Sequence, residues 1–120
     1  MQRKMLKSKI HRARVTEANL DYEGSISIDT KLCEMADLKY FEQVEIYNCD
    51  NGERFATYVI PGKEGEICLN GAAARKVQRN DKVIIASYVQ ATEEEVENWE
   101  PKLVFVNESN TATKISHESL

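Results

Sequence analysis

Apolar residues recur at every second position over several short stretches of the chain, the spacing that turns one face of a β-strand inward. Leu6 to Val15 lacks a clean amphipathic pattern, but read as a strand it carries Lys7, Lys9 and His11 on one face. Ser25-Ile26-Ser27-Ile28-Asp29 alternates polar and apolar residues and predicts a half-buried strand. Asp29 or Thr30 then caps a short helix through Leu38, with Leu32, Cys33, Met35 and Ala36 turned inward. Val44 and Ile46 mark the next strand. Asp50-Asn51-Gly52 predicts a type I′ hairpin, whose positive φ angles Asn and Gly tolerate. Arg54 to Ile60 returns as the partner strand and ends at Pro61-Gly62.

Ile67 to Leu69 is a short strand that runs into Asn70-Gly71-Ala72-Ala73-Ala74, a tight turn opening a short helix. Val83 to Val89 is apolar enough for a central strand. Thr92 with Glu95 has capping-box spacing for a short helix that Pro101 ends. Leu103 to Val106 is the last predicted strand, and the polar residues of about 107–120 read as a frayed tail. Many short strands with brief helical turns predict a mainly β fold, a small closed barrel, because closure removes exposed edges.

Composition narrows the function classes. A chain of 120 residues, 42% hydrophobic and 30% charged, with no linker or repeat, fits one globular domain spanning 1–120. A net charge of −4 argues against a dedicated nucleic-acid binder, which needs a basic surface. The longest aliphatic run, Val83-Ile84-Ile85-Ala86, is far short of a membrane-spanning helix. The basic start MQRKMLKSKIHRAR has no apolar stretch behind it, so no secretory leader is predicted and the cytoplasm is the expected compartment. Cys33, Cys49 and Cys68 are scattered, and His11 and His117 are the only histidines, so neither a disulfide framework nor a metal site is expected.

The chemistry concentrates in Leu20-Asp21-Tyr22-Glu23-Gly24-Ser25-Ile26-Ser27-Ile28-Asp29. Alone, Gly24-Ser25 is an ordinary turn before a strand. It stands, however, with Met5-Leu6 and Lys9-Ile10-His11-Arg12, with Asn51-Gly52, Arg54-Phe55 and Thr57-Tyr58, and with Asn70-Gly71-Ala72-Ala73-Ala74. In this order and spacing, together with the Val83–Ala86 strand, these segments resemble the pyruvoyl-dependent L-aspartate 1-decarboxylase (aspartate alpha-decarboxylase) family over roughly residues 3–106. Tyr47 departs from the pattern, standing where familiar members carry tryptophan, and the segment before Asn70 is slightly shorter.

The resemblance implies a proenzyme that cuts itself between Gly24 and Ser25, giving a β chain of residues 1–24 and an α chain of residues 25–120. Ser25 is the implied nucleophile, Gly24 supplies the attacked carbonyl, and Thr57 polarises that carbonyl as an oxyanion-hole donor. Glycine at 24 is expected for its conformational range and for the room it leaves the intermediate. The residue at 25 then becomes a pyruvoyl group that forms a Schiff base with the substrate amine and accepts electrons as CO2 departs, with no pyridoxal phosphate and no metal. Tyr58 is the implied proton donor to the carbanion, a task a protonated phenol suits. Lys9 and Arg54 suit a dicarboxylate substrate, L-aspartate, the guanidinium through paired hydrogen bonds and the ammonium as a point charge. Arg54 and Tyr58 fall on the same strand face, about 13 Å apart at their Cα atoms. Asn70, Gly71, Ala72 and Ala73 are implied substrate-binding residues, offering backbone N–H groups and little bulk. His11 is at most a neighbour that tunes the pocket.

The family further implies a six-stranded double-psi β-barrel, a homotetramer with active sites between subunits, and β-alanine supply for pantothenate and coenzyme A. Two other readings stay open at this point: a pyruvoyl decarboxylase of another amino acid such as glutamate, and an unprocessed barrel that serves as a binding module.

Overall fold

The computed structural model describes residues 1–117. Strand β1 (Gln2–Arg14) pairs antiparallel with β7 (Lys82–Thr92) and parallel with β8 (Lys102–Val106), so its apolar positions Ile10 and Ala13 enter the core from the middle of the sheet. The chain then passes through Val15 and Thr16 into β2 (Glu17–Asn19), which pairs with β6 (Ile67–Asn70). Strand β3 (Ser25–Asp29) lies between β6 and β5 (Arg54–Gly62), and β4 (Gln43–Asn48) joins β5 to β7. A last strand, β9 (Ala112–Ser116), pairs with β8. The result is one nine-stranded sheet in the order β2-β6-β3-β5-β4-β7-β1-β8-β9.

The fold is mainly β with short helices, as the pattern predicts, and the count exceeds the six strands of the implied barrel. The sheet curls without its edge strands pairing with each other, so it is not closed by a ladder. Covalent continuity does part of that work. Val15 and Thr16 carry β1 to the opposite edge, where Thr16 N–H donates to the Ile67 carbonyl at 2.8 Å. Inside sits one core built from Ile10, Val15, Ile26, Ile28, Val44, Ile46, Val59, Ile67, Leu69, Ile85 and Val104.

Two short helices close the ends. Asp29 caps α1 (Thr30–Met35), its carboxylate accepting from Lys31 N–H at 2.8 Å, and Leu32, Cys33 and Ala36 are buried as expected. The Thr92–Glu95 capping box opens α2 (Glu93–Val96). Gly71–Lys76 forms a 3-10 helix rather than an α-turn. Among the described residues no helix is long and apolar enough to cross a membrane.

Three local expectations change. Strand β3 is buried along its whole length, not on one face, because β5 and β6 flank it and its polar side chains find partners inside. The β4–β5 connection is not a two-residue type I′ turn. Only Gly52 has positive φ, and the Asn48 side chain accepts from Asp50 N–H at 2.9 Å while Gly52 N–H closes onto the Asn48 carbonyl at 2.9 Å, which draws residues 49–53 into a wider loop. The frayed tail is also wrong over residues 107–116; residues 118–120 lie outside the described residues. Asn110 is fully buried with positive φ, a conformation Asn tolerates. Its amide mimics a strand partner for Arg14, accepting from Arg14 N–H at 2.7 Å and donating to the Arg14 carbonyl at 2.8 Å and the Gly65 carbonyl at 2.9 Å.

A half-buried ionic cluster ties the loop after α1 to β1 and β7. Glu42 accepts from Lys39 N–H and Lys7 Nζ, each at 2.9 Å, and from the Ser87 hydroxyl. Burial alone would raise the Glu42 carboxyl, but these donors outweigh it and hold it below its ordinary 4.5. Because the folded value is depressed, the cluster stabilises the fold above the unfolded value and the contribution is lost as pH falls through the folded one.

Two outcomes follow for urea unfolding. Asn110→Ala strands buried backbone groups of Arg14 and Gly65 and is expected to cost about 3 kcal/mol. Between pH 7 and about pH 3, through the range below the ordinary carboxylate value, the native chain should lose more stability than Glu42→Gln, whose neutral amide cannot titrate there; equal losses would contradict the role given to Glu42.

Candidate active site

Ser25 opens β3 directly opposite Asn70, the last residue of β6, and Ser27 stands opposite Cys68. Cross-strand partners share a face, so these four polar residues meet inside the protein. Ser25 is 1% exposed and Asn70 2%. The Asn70 amide nitrogen donates to Ser25 Oγ at 3.0 Å and to Ser27 Oγ at 3.1 Å, while its oxygen accepts from Cys68 Sγ at 3.2 Å. Ser25 Oγ in turn donates to the Glu23 carbonyl at 2.9 Å. Asn70 therefore acts through its side chain, a role the backbone-donor expectation missed. With that amide engaged, the 3-10 helix that follows has no side-chain cap.

Gly24 borders a cavity of about 380 Å³ lined also by Phe55, Ala56, Thr57, Tyr58, Ala72, Ala73 and Lys76. Parallel pairing of Ile26 with Val59 sets Ser25 beside Tyr58, one step back along the same register. Thr57 and Tyr58 are half-buried, and among the described residues neither hydroxyl has a hydrogen bond, so both are available to a ligand. A larger cavity of about 470 Å³ on the other side of the same β5 residues is lined by Phe41, Gln43, Ala56, Thr57 and Tyr58, but it contains neither Gly24 nor the small residues after Asn70. The first cavity is the one that borders the Gly24–Ser25 peptide.

The glycine requirement falls elsewhere than expected. Gly24 has no positive φ, and a Cβ built on it would meet nothing within 4 Å. Gly71 has φ +65°, and a Cβ there would lie 2.6 Å from both Gly24 Cα and Gly24 N. The residue that must lack a side chain in this ground state is thus Gly71, whose backbone presses on residue 24.

Lys9 and Arg54 lie outside the cavity lining. Lys9 shares a sheet face with Ala56 through the row Lys9–Ala86–Glu45–Ala56, three strand spacings or about 14 Å away. Burial pushes its ammonium down, against an opposing influence of Cys49, and it has no ion pair among the described residues. Arg54 is exposed in its hairpin, with its guanidinium 3.9 Å from the Tyr47 ring centroid. Tyr47 and Tyr88 share a 2.8 Å hydroxyl contact, and Tyr47 is pushed up to about 12 by burial and that contact. Tyr47 thus makes a platform for Arg54. His11 stacks edge-on against Phe105, 5.4 Å between centroids, with Nδ1 buried and unpartnered; burial, Lys9 and Arg12 lower its pKa. It does not line the cavity.

The structure thus brings together Gly24, Ser25, Thr57, Tyr58, Asn70, Gly71, Ala72 and Ala73, and leaves Lys9 and Arg54 apart. Lys76, Ser27 and Cys68 were not expected. Lys76 carries no sequence signal beyond a charge after a helix. Ser25-x-Ser27 and Cys68-x-Asn70 do carry one, since each pair has the period-two spacing of a strand face. Among the described residues no group of three or more His, Cys, Asp or Glu side chains is placed to hold a metal ion.

The contact at Gly71 separates two substitutions. Gly71→Ala is expected to lower stability by about 2 kcal/mol, from left-handed strain and the collision with Gly24. Gly24→Ala should shift it by less than about 0.5 kcal/mol. Thermal melting of both variants measures this, and equal effects would contradict it.

The aspartate decarboxylase family model matches residues 1–113. An aspartate 1-decarboxylase of Syntrophus aciditrophicus is 64% identical over 112 residues, which cover 92% of this chain and 97% of the relative. One from Desulfitobacterium hafniense is 57% identical, covering 100% of this chain and 96% of its own. A third, from Campylobacter jejuni, is 57% identical over 94% of this chain and 90% of its own. With Ser25 held against Asn70 beside a cavity bounded by Gly24, Thr57 and Tyr58, the chain belongs to the aspartate decarboxylase family.

Proposed function

We propose that this chain decarboxylates L-aspartate to β-alanine and CO2, using a pyruvoyl group that it makes from its own Ser25. The single observation that carries this reading is the placement of a buried serine hydroxyl, held by Asn70, at the wall where Gly24, Thr57 and Tyr58 share one cavity. The site fits the group: the small side chains of Ala72 and Ala73 leave space, and the Asn70 amide supplies a donor at residue 25.

In the maturation step Ser25 Oγ bonds to the Gly24 carbonyl carbon. The Gly24–Ser25 C–N bond breaks, and the hydroxyl proton passes to the released nitrogen. Loss of the Ser25 Cα proton with cleavage of Cβ–Oγ then frees Gly24 as a carboxylate. Hydrolysis of the resulting enamine releases ammonia. Thr57 is the donor for the oxyanion at residue 24, a role its unbonded hydroxyl leaves open. In the ground state the Ser25 proton points to the Glu23 carbonyl, so a small rotation at residues 23–25 must precede attack.

In the mature enzyme the pyruvoyl carbonyl supplies the electron sink for decarboxylation. Tyr58 holds the proton that the product carbon receives, and Phe55, Ala56, Ala72 and Ala73 line the space around it. Arg54, braced on Tyr47, is the best-placed carboxylate ligand near the β5 wall. Lys9 is too distant to serve the cavity of its own chain without an intervening copy. A homotetramer with sites between subunits accounts for it. Cytoplasmic β-alanine supply for pantothenate and coenzyme A follows from this activity.

Incubation with aspartate or glutamate, followed by product analysis, tests the reading. β-Alanine should form from aspartate alone, and Ser25→Ala should form none. Retained β-alanine production by Ser25→Ala would overturn it. Arg54→Ala should leave maturation intact while raising KM for aspartate about a hundredfold, the scale of a lost charge-assisted pair.

A further inference from the structure

Beyond the groups that react, the buried box formed by Ser25, Ser27, Cys68 and Asn70 contains an orientation problem. An asparagine amide fits its site in two senses, related by exchange of oxygen and nitrogen, and hydrogen bonding decides between them. Ser25 Oγ gives its proton to the Glu23 carbonyl at 2.9 Å, so in this arrangement it accepts from Asn70. The opposite sense would turn the amide oxygen toward Ser25 and Ser27, and their hydroxyl protons would swing to it. Ser25 would then have its proton tied to Asn70, away from residues 23 and 24.

Only one neighbour distinguishes the two senses. Both serine hydroxyls can donate or accept, and so accommodate either. Cys68 is different: a thiol is weak both as donor and as acceptor, but its sulfur already takes a backbone hydrogen bond from Asn19, which leaves its proton for the Asn70 oxygen. Its Sγ lies 3.2 Å from Asn70 Oδ1, and its other acceptor, the Leu69 carbonyl, is at 3.9 Å. Cys68 is buried, and burial, reinforced by Glu66 and Glu17, raises its pKa, so the proton stays on sulfur. The β3–β6 register fixes the box by pairing Ser27 with Cys68 and Ser25 with Asn70.

We propose that Cys68 is a positioning residue for self-cleavage: its thiol locks the Asn70 amide in the sense that presents nitrogen, not oxygen, to Ser25. This rests on the self-cleavage reading. The thiol touches no reacting atom and acts only through Asn70.

The test is a time course of intact mass on the full chain, made by cell-free synthesis and quenched at intervals, for the native protein and three variants. Cys68→Ala removes the donor and leaves space, and Cys68→Val removes it and overfills that space, so folding loss in one leaves the other informative. Both should lengthen the cleavage half-time about fivefold, the factor expected for one lost hydrogen bond. Cys68→Ser restores a donor but is also a good acceptor, so it should recover only part of the rate, cleaving faster than either of the other two variants. A packing role alone would not give that rescue, since serine fills the space no better than alanine or valine. Native-like cleavage by Cys68→Ala or Cys68→Val would overturn the proposal, as would a Cys68→Ser chain no faster than those two. A native chain that never cleaves would instead overturn the self-cleavage reading, and this role with it.

Discussion

Strand β3 is buried on both faces although Ser25, Ser27 and Asp29 are polar, and a strand of that kind is stable only if each polar side chain is matched. Asn70 meets that constraint for two of them by donating from one nitrogen to both serine hydroxyls. Asp29 meets it for itself by capping α1 and accepting from Gly65 N–H at 2.7 Å. Had the register between β3 and β6 slipped by one residue, Ser25 would face the wrong side and three hydroxyl or amide groups would be buried without partners. The same pairing that stabilises the sheet therefore fixes the Ser25 hydroxyl.

From that ladder the remaining geometry follows in sequence. Asn70 ends β6, Gly71 turns with positive φ, and the turn brings backbone against Gly24 too closely for any Cβ. The small residues after Gly71 then form one wall of the cavity, and β5, paired to the other edge of β3, brings Thr57 and Tyr58 as the opposite wall. Burial of the hydroxyl network and openness toward the cavity are thus separated by a single peptide, the one between residues 24 and 25.

Much of this was legible in the chain. Alternation in Ser25–Asp29, the apolar run at Val83–Ala86 and the Thr92–Glu95 box gave strands and caps that the structure bears out, because local spacing alone governs them. The wide β4–β5 loop was not legible, since the Asn48 side chain overrides the turn preference of Asp50-Asn51-Gly52. Nor was the order of residues 107–116, which depends on Asn110 reaching Arg14 across 96 positions of sequence. Family resemblance named Gly24, Thr57 and Tyr58, which the fold gathers at one cavity, but the side-chain hydrogen bonds of Asn70 with Ser25, Ser27 and Cys68 needed the cross-strand register. Lys9 and Arg54 sit outside the cavity of their own chain, whose one lining cation is Lys76 among the described residues.

The central claim is that this fold presents the Gly24–Ser25 peptide for cutting. Intact mass of the purified full chain tests it most directly. Two species are predicted, one ending at Gly24 with a free carboxylate and one beginning at position 25 with a pyruvoyl group in place of an amine. A single uncut chain that keeps the Ser25 hydroxyl after prolonged warming would contradict the account.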